Sequence, residues 1–217
     1  MQMDNNFINK YEFPLHLIIA IKIIRIHLAN IIPTFFARTS LNLMGCKFGK
    51  YLIVNGKCYF RVQRKGAISF GENIKITSRF LSNSVGISNP TFIECATREA
   101  TLAIGNNTGL TSCIISCRNK ITIGNNVKIG GNVRIFDHDF HSLNHLNRRN
   151  YAEDSLFTKS SPVIIEDDVF IGTNSIILKG VHIGARSIIG SGSIVVNDIP
   201  EDCIAAGNPA RVIRRIN

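Results

Sequence analysis

From Ile165 the chain reads IEDDVF, IGTNSI, ILKGVH, IGARSI, IGSGSI, VVNDIP, six consecutive hexads that each open on Ile or Val. The second position is often Gly, and the fifth is Val, Ser or Ile. Earlier copies are FGENIK at 70, IGNNTG at 104, LTSCII at 110, IGNNVK at 123 and IGGNVR at 129. An α-helix repeats its apolar stripe about every 3.6 residues and a strand about every 2, so neither, carried straight through, gives a period of six. A short strand followed by a corner does. One aliphatic side chain per hexad fills the interior, a small residue fits beside it, and Gly or Asn at the corner tolerates positive φ. Three such sides close a triangular coil of eighteen residues, so 165–200 supplies two full coils. The 17 glycines, the abundance of Ile and Val and the lack of Trp fit a β-rich chain with many tight turns.

The pattern resembles the left-handed parallel β-helix of the hexapeptide-repeat acyltransferases. The handedness is what that resemblance implies, because a period alone carries no chirality and parallel crossovers are otherwise right-handed. The expected class is all-β: a left-handed parallel β-helix over 46–200, irregular at first, with one loop protruding over 136–164. A basic helical segment, 1–45, is expected before it and a short tail, 201–217, after it.

The loop is expected because the pattern stops at Ile135 and resumes in phase at Ile165, thirty residues on. The intervening FDHDFHSLNHLNRRNYAEDSLFTKSSPVI lacks aliphatics at the required positions but holds three of the six histidines, His138, His141 and His145. Long irregular connections are usually functional or disordered, and histidines weigh against an idle linker. The spacing could ligate zinc, as three histidines do in the γ-class carbonic anhydrases of similar fold. In that class one ligand comes from well upstream, whereas here no histidine lies between His27 and His138, so no metal is expected. A general base is the better reading. Transfer of an acyl group from a thioester to a hydroxyl needs a group to take the hydroxyl proton, and neutral imidazole suits that role near neutral pH. A nearby carboxylate would hold the tautomer, and Asp137 and Asp139 are candidates by proximity in sequence.

From about Phe48 onward the chain is similar to the O-acetyltransferases related to the maltose, galactoside and nodulation-factor enzymes. It looks closest to the branch in bacterial capsular-polysaccharide and lipopolysaccharide biosynthesis. That branch carries an Asp-x-Asp-x-His-Ser/Pro-Leu-Asp type motif in the interrupted coil, matched here by DHDFHSLN. The resemblance puts the catalytic histidine on His141 and leaves His138 at a variable position, either a loop residue near the acceptor or the rival base. It further implies a homotrimer with acetyl-CoA, the acyl donor, in the groove between subunits. FIGTN places Phe170 and Thr173 beside the pantetheine arm, IGSGS places Ser191 there, and AAGNPARVIRR places Arg211 and Arg214 on phosphate and adenine. Guanidinium forks match phosphate oxygens, so chemistry and resemblance agree on the arginines.

Two departures stand out. Val196-Asn197 replaces a Thr-Lys found near CoA in some relatives, and the acceptor-side Asn and Asp of sugar acetyltransferases have no counterpart in LTSCIISCR. Thr111 and Ser112 are the nearest polar substitutes, so a simple galactoside is not the expected acceptor. The expected activity is O-acetylation of a sugar hydroxyl of a surface glycan or its precursor. N-acylation of an amino sugar and a non-catalytic β-helix scaffold or sugar-binding module are the alternatives.

The net charge of +10 is unevenly spread: residues 1–65 hold ten of the 25 Lys and Arg but only Asp4 and Glu12. An anionic neighbour, a membrane surface or a phosphorylated ligand, would suit that asymmetry, and no nucleic-acid partner is expected. The apolar run 14–32 approaches the length of a membrane span, but Lys22, Arg25 and His27 sit at its centre. Peripheral membrane contact through 14–32 is therefore the expectation. No secretory signal pattern is visible, and six cysteines with no CxxC pair read as reduced. The expected location is cytoplasmic, the inner face of the membrane included.

Overall fold

The computed structural model describes residues 15–80 and 83–216. Positions 1–14 of the expected N-terminal segment and Asn217 of the expected tail lie outside the described residues. Three parallel sheets form the sides of a triangular solenoid, and up to Ile194–Val195 each strand pairs with the one three places away along the chain. In the first sheet Lys120–Ile123 pairs with Val163–Ile165, which pairs with His182–Ile183. In the second the series is Lys128–Ile129, Phe170–Ile171 and Ile188–Ile189; in the third it is Arg134–Phe136, Ile176–Ile177 and Ile194–Val195. This is the left-handed β-helix of the hexapeptide-repeat proteins.

Each hexad position has one physical task. The first and fifth point inward: Ile123, Val127, Ile129, Val133, Ile165, Val169 and Ile171 are fully buried. Where the fifth is Ser, the hydroxyl is buried but satisfied, as Ser187 Oγ donating to Pro200 O at 2.6 Å and Ser175 Oγ to Gly190 O at 3.0 Å. The fourth is the left-handed corner, with φ near 60° at Asn73, Asn107, Asn126, Asn132 and Asn174, and Asn accepts that conformation better than most residues. The second is where coils come closest. A Cβ on Gly172 would lie 2.5 Å from Ser191 N, which no side chain permits.

Coil length locates the insertions. Ile165, Ile171 and Ile177 pair with Ile183, Ile189 and Val195, each eighteen positions on. Ile123 pairs with Ile165 across 42 positions, an excess of 24, a whole number of hexads; that is why the phase resumes. Phe70 pairs with Ile104 across 34, and most of that excess is a second excursion, 79–90, between Lys75–Ser78 and Thr91–Cys95. The helix α1, Leu15–Leu43, covers the open upper end: Ala37 and Leu41 are buried on the first coil. Thr34 Oγ1 accepts from Val54 N at 2.9 Å and donates to Val54 O at 3.2 Å.

Two of the expected segments carry secondary structure of their own. The short C-terminal tail is a β-hairpin: Cys203–Gly207 adds in parallel to Ile188–Ile189, and Ala210–Arg215 folds back antiparallel along it. The protruding loop has structure of its own, a 3-10 turn at Asn147–Arg149 and the helix α2 at Tyr151–Phe157. Asn150 caps α2, its side-chain oxygen accepting from Ala152 N at 2.9 Å and Glu153 N at 3.3 Å.

Candidate active site

The loop leaves the corner between the third and first sheets and is pinned at its base by Asp137. That carboxylate is fully buried and accepts from Arg118 N and Asn119 N, both at 2.7 Å, on the adjacent coil. Burial alone pushes its carboxyl upward, but His138 and the two amide donors outweigh that, and the net direction is below the ordinary carboxylate value. His138 is buried too, its Nδ1 3.0 Å from Asp137 Oδ1, its ring packed on Phe140 with centroids 4.4 Å apart. Phe140 in turn meets Phe136 edge-on at 4.9 Å. Asp139 pairs with Lys179, from the corner below, and its other oxygen is buried without a partner.

Neither of these carboxylates bonds the His141 ring, which corrects the expectation drawn from sequence proximity; Asp139 meets His141 through its main-chain oxygen, which accepts from His141 N at 2.7 Å. The partner is Asp154, in the first turn of α2, with Oδ2 2.6 Å from His141 Nδ1. Its second oxygen accepts from Ser142 N at 2.6 Å, so ring and carboxylate are locked to one short stretch of backbone. The bond to His141, followed by the Ser142 amide, holds the Asp154 carboxyl below its usual value. An anionic Asp154 assigns the proton to Nδ1 and leaves Nε2 a bare acceptor. The His141 side chain is 70% exposed against 5% for His138, so only one of the two rings can meet a substrate without rearrangement.

The loop that presents this pair is stiffened by main-chain acceptors. Arg118 reaches Ser155 O on α2, and Arg148 Nη1 donates to Ser142 O at 2.7 Å and Leu143 O at 3.0 Å. Among the described residues no group of three His, Cys, Asp or Glu is placed to hold a metal ion.

The remaining candidates lie elsewhere. Phe170, Thr173 and Thr111 line one cleft of about 560 Å³ on the outer face of the second sheet, with Lys75, Lys128 and, from the 79–90 excursion, Val85. Ser112 does not: it is fully buried at φ 43°, and its hydroxyl donates to Asn89 O at 2.6 Å, which anchors that excursion. The excursion is closed from the other side by Asn132, whose Oδ1 accepts from Ser88 N at 3.0 Å. Ser191 stands exposed at a corner outside the cleft lining. Arg211 and Arg214, on the hairpin, donate among the described residues only to main-chain oxygens, Ala210 O at 3.0 Å and Arg215 O at 3.1 Å. His141 is not among the residues lining the cleft.

Fold and repeat together define the class, a left-handed β-helix built from hexapeptide repeats. The family model described as the hexapeptide repeat of succinyl-transferase matches residues 162–196. The galactoside O-acetyltransferase of Escherichia coli is 44% identical over 97 residues, 45% of each chain. The 2,3,4,5-tetrahydropyridine-2,6-dicarboxylate N-acetyltransferase of Staphylococcus aureus is 52% identical over 56 residues, 26% of this chain and 23% of that one. The match thus spans less than half the length of these curated relatives. A Vibrio cholerae hexapeptide-repeat acetyltransferase solved with acetyl-CoA aligns over 89% of this chain and 84% of its own, at 25% identity and a TM-score of 0.53. A galactoside acetyltransferase solved with coenzyme A aligns over 83% and 70%, at 27% identity and a TM-score of 0.52. The proteins that this chain resembles in sequence and in fold are acetyltransferases.

Proposed function

We propose that the protein is an acetyl-CoA-dependent O-acetyltransferase that acts on a sugar hydroxyl of a surface polysaccharide or its precursor, in the cytoplasm, with His141 as general base. One observation carries the reading: on a loop otherwise locked by hydrogen bonds, His141 stands exposed with Nδ1 held by Asp154 and with no partner for Nε2 among the described residues. His141 Nε2 accepts the proton of the acceptor hydroxyl as its oxygen forms the ester bond, and then gives that proton up to the departing sulfur. Asp154 keeps the tautomer and offsets the positive charge on the ring between those two events. Backbone N–H groups at the coil edge would stabilise the oxyanion.

Acetyl-CoA supplies the acetyl group as a thioester, and the residues present suit it. The apolar ring of Phe170 and the hydroxyl of Thr173 border a cleft of about 560 Å³, and the guanidinium groups of Arg211 and Arg214 have no carboxylate partner among the described residues. The cleft and His141 occupy different faces of one chain, which favours a homotrimer in which the histidine of one subunit serves the cleft of its neighbour. The match to an N-acetyltransferase keeps an amino-sugar acceptor as the second reading, since an amine needs the same proton acceptor.

Mass spectrometry of candidate glycans and amino sugars, incubated with enzyme and acetyl-CoA, tests both. The expected product is an O-acetyl ester, with His141→Ala slower by a factor of hundreds or more, on the order expected for a lost general base, and with CoA binding retained. Undiminished transfer by that variant removes His141 from the role; no acetyl-CoA binding at all supports a non-catalytic scaffold instead.

A further inference from the structure

The acyltransfer reading makes no use of α1, and this helix carries a surface that none of the described residues covers. Thr34, Ala37 and Leu41 hold its last three turns to the first coil. On the side turned away from them, Leu17, Ile21, Ile24, Leu28, Ile31 and Phe35 recur at spacings of four and three and are 48% to 64% exposed. At about 100° per residue these six fall on one face, roughly a third of a turn from the packed one. By length and composition α1 could cross a membrane, and none of its most apolar stretch is buried. A soluble protein rarely leaves so long an apolar stripe in water.

Two partners could cover the stripe, a second copy of the helix or a lipid surface, and two observations choose between them. First, a coiled coil in water keeps its outward positions polar. Here the positions opposite the stripe are Ile19, Ile26 and Pro33, so the helix lacks the polar outer face of a coiled coil. Such a helix suits hydrocarbon better than a water-facing bundle. Second, the charge is one-signed. From Phe13 to Gly71 there is no carboxylate, while Lys22, Arg25, Arg38, Lys47, Lys50, Lys57, Arg61, Arg64 and Lys65 all fall in that stretch. Lys47, Lys50 and Lys57 are exposed on the coil that α1 covers.

We infer that α1 docks the protein on an anionic bilayer, lying in the plane of the interface with the Leu17–Phe35 stripe immersed and the basic first coil against the headgroups. A full span would put Lys22 near the bilayer centre; lying flat lets it reach phosphate on its flexible stem. The catalytic loop then works on an acceptor held at the same surface. The docking does not depend on the acyltransfer reading, and its test involves no acetyl transfer.

The experiment is co-sedimentation of the full chain with phosphatidylcholine vesicles, with and without phosphatidylglycerol, at increasing salt. The expected result is binding that requires the anionic lipid and weakens with salt. Ile24→Glu combined with Leu28→Glu should reduce it at least about tenfold, as burying two carboxylates requires, without moving the melting temperature. Three results overturn the proposal. One is protein that stays in the supernatant with every vesicle. Another is a double variant that binds vesicles normally but dissociates into smaller oligomers, which would show that a second copy covers the stripe. The third is protein that resists extraction by alkaline carbonate, which would show a helix that spans.

Discussion

Between Val163 and Val195 every coil repeats the one above it at eighteen residues, whereas the 24 residues inserted before Val163 repeat nothing. The coils are held by stacked aliphatics in the core, Ile123 on Ile165 on Ile183, and by corners that each solve the same backbone problem. The loop is held by polar contacts that occur once each: Asp137 to two amides, Lys179 to Asp139, Arg118 to α2, Asp154 to His141. Repetition gives rigidity and no chemistry, since a residue that recurs in every coil cannot mark one place. The single-copy network puts an imidazole at one place, on a frame that hardly depends on it. The two regions should therefore fail separately.

The largest effect comes from the coils. Ile165 is buried between Ile123 and Ile183, and Ile165→Ala should cost about 2–5 kcal/mol through lost burial and a cavity that the rigid stack cannot close. The melting temperature should fall by roughly 10 °C, while transfer per folded molecule stays as it was. A loss of specific activity in step with stability would break the comparison, because it would mean that the stack also sets the loop. The converse substitution is Asp154→Asn. It should lower kcat about a hundredfold, because an amide N–H facing Nδ1 favours the wrong tautomer of His141. KM for acetyl-CoA and the melting temperature should barely move, and Asp154→Glu should restore part of kcat. A fall in melting temperature as large as that of Ile165→Ala would make Asp154 a structural residue instead.

The same contrast explains what the sequence discloses. The coils are legible because each residue type follows from a local demand. Asn at the fourth position marks left-handed backbone at Asn107, Asn126 and Asn174, and Gly at the second marks close approach at Gly172. His141 is legible as a motif residue, but its partner is not, because a helix brings Asp154 back across thirteen positions to meet it. A trace of that helix exists in Asn150 followed by Glu153 and Asp154, a cap with acidic residues in the first turn, which the polar composition around it obscures. The 79–90 excursion leaves no comparable trace. Its anchor, Ser112, reads as an exposed polar residue until the positive φ and the bond to Asn89 O turn it inward. The hairpin at 203–215 is hidden for the opposite reason: ARVIRR is short and basic enough to pass for a tail, and only pairing with Cys203–Gly207 makes it a strand.

The smallest effect concerns how the loop is tied to the coils, and acid should reveal it. Asp137 is held below the ordinary carboxylate value in the folded loop and returns to about 3.9 when the loop opens. A carboxyl lowered by folding contributes stability that is complete above its unfolded value and is lost as pH falls through its folded one. Between pH 5 and pH 7, as rough limits set by those values, the attachment should therefore be unchanged. Below about pH 4 the segment 137–160 should open to amide exchange before the coils of 163–195 do, where the buried polar residues are the serines Ser175, Ser187 and Ser193. In Asp137→Asn an amide oxygen remains to accept from Arg118 N or Asn119 N but not from both with full charge, a loss of roughly 1–3 kcal/mol confined to the loop. That variant should show faster exchange over 137–160 already at neutral pH and a weaker acid step. Opening that instead begins near pH 6 in the wild type would assign the attachment to a histidine, and Asp137 would then be a passenger of His138 rather than the peg that holds the loop to the coil.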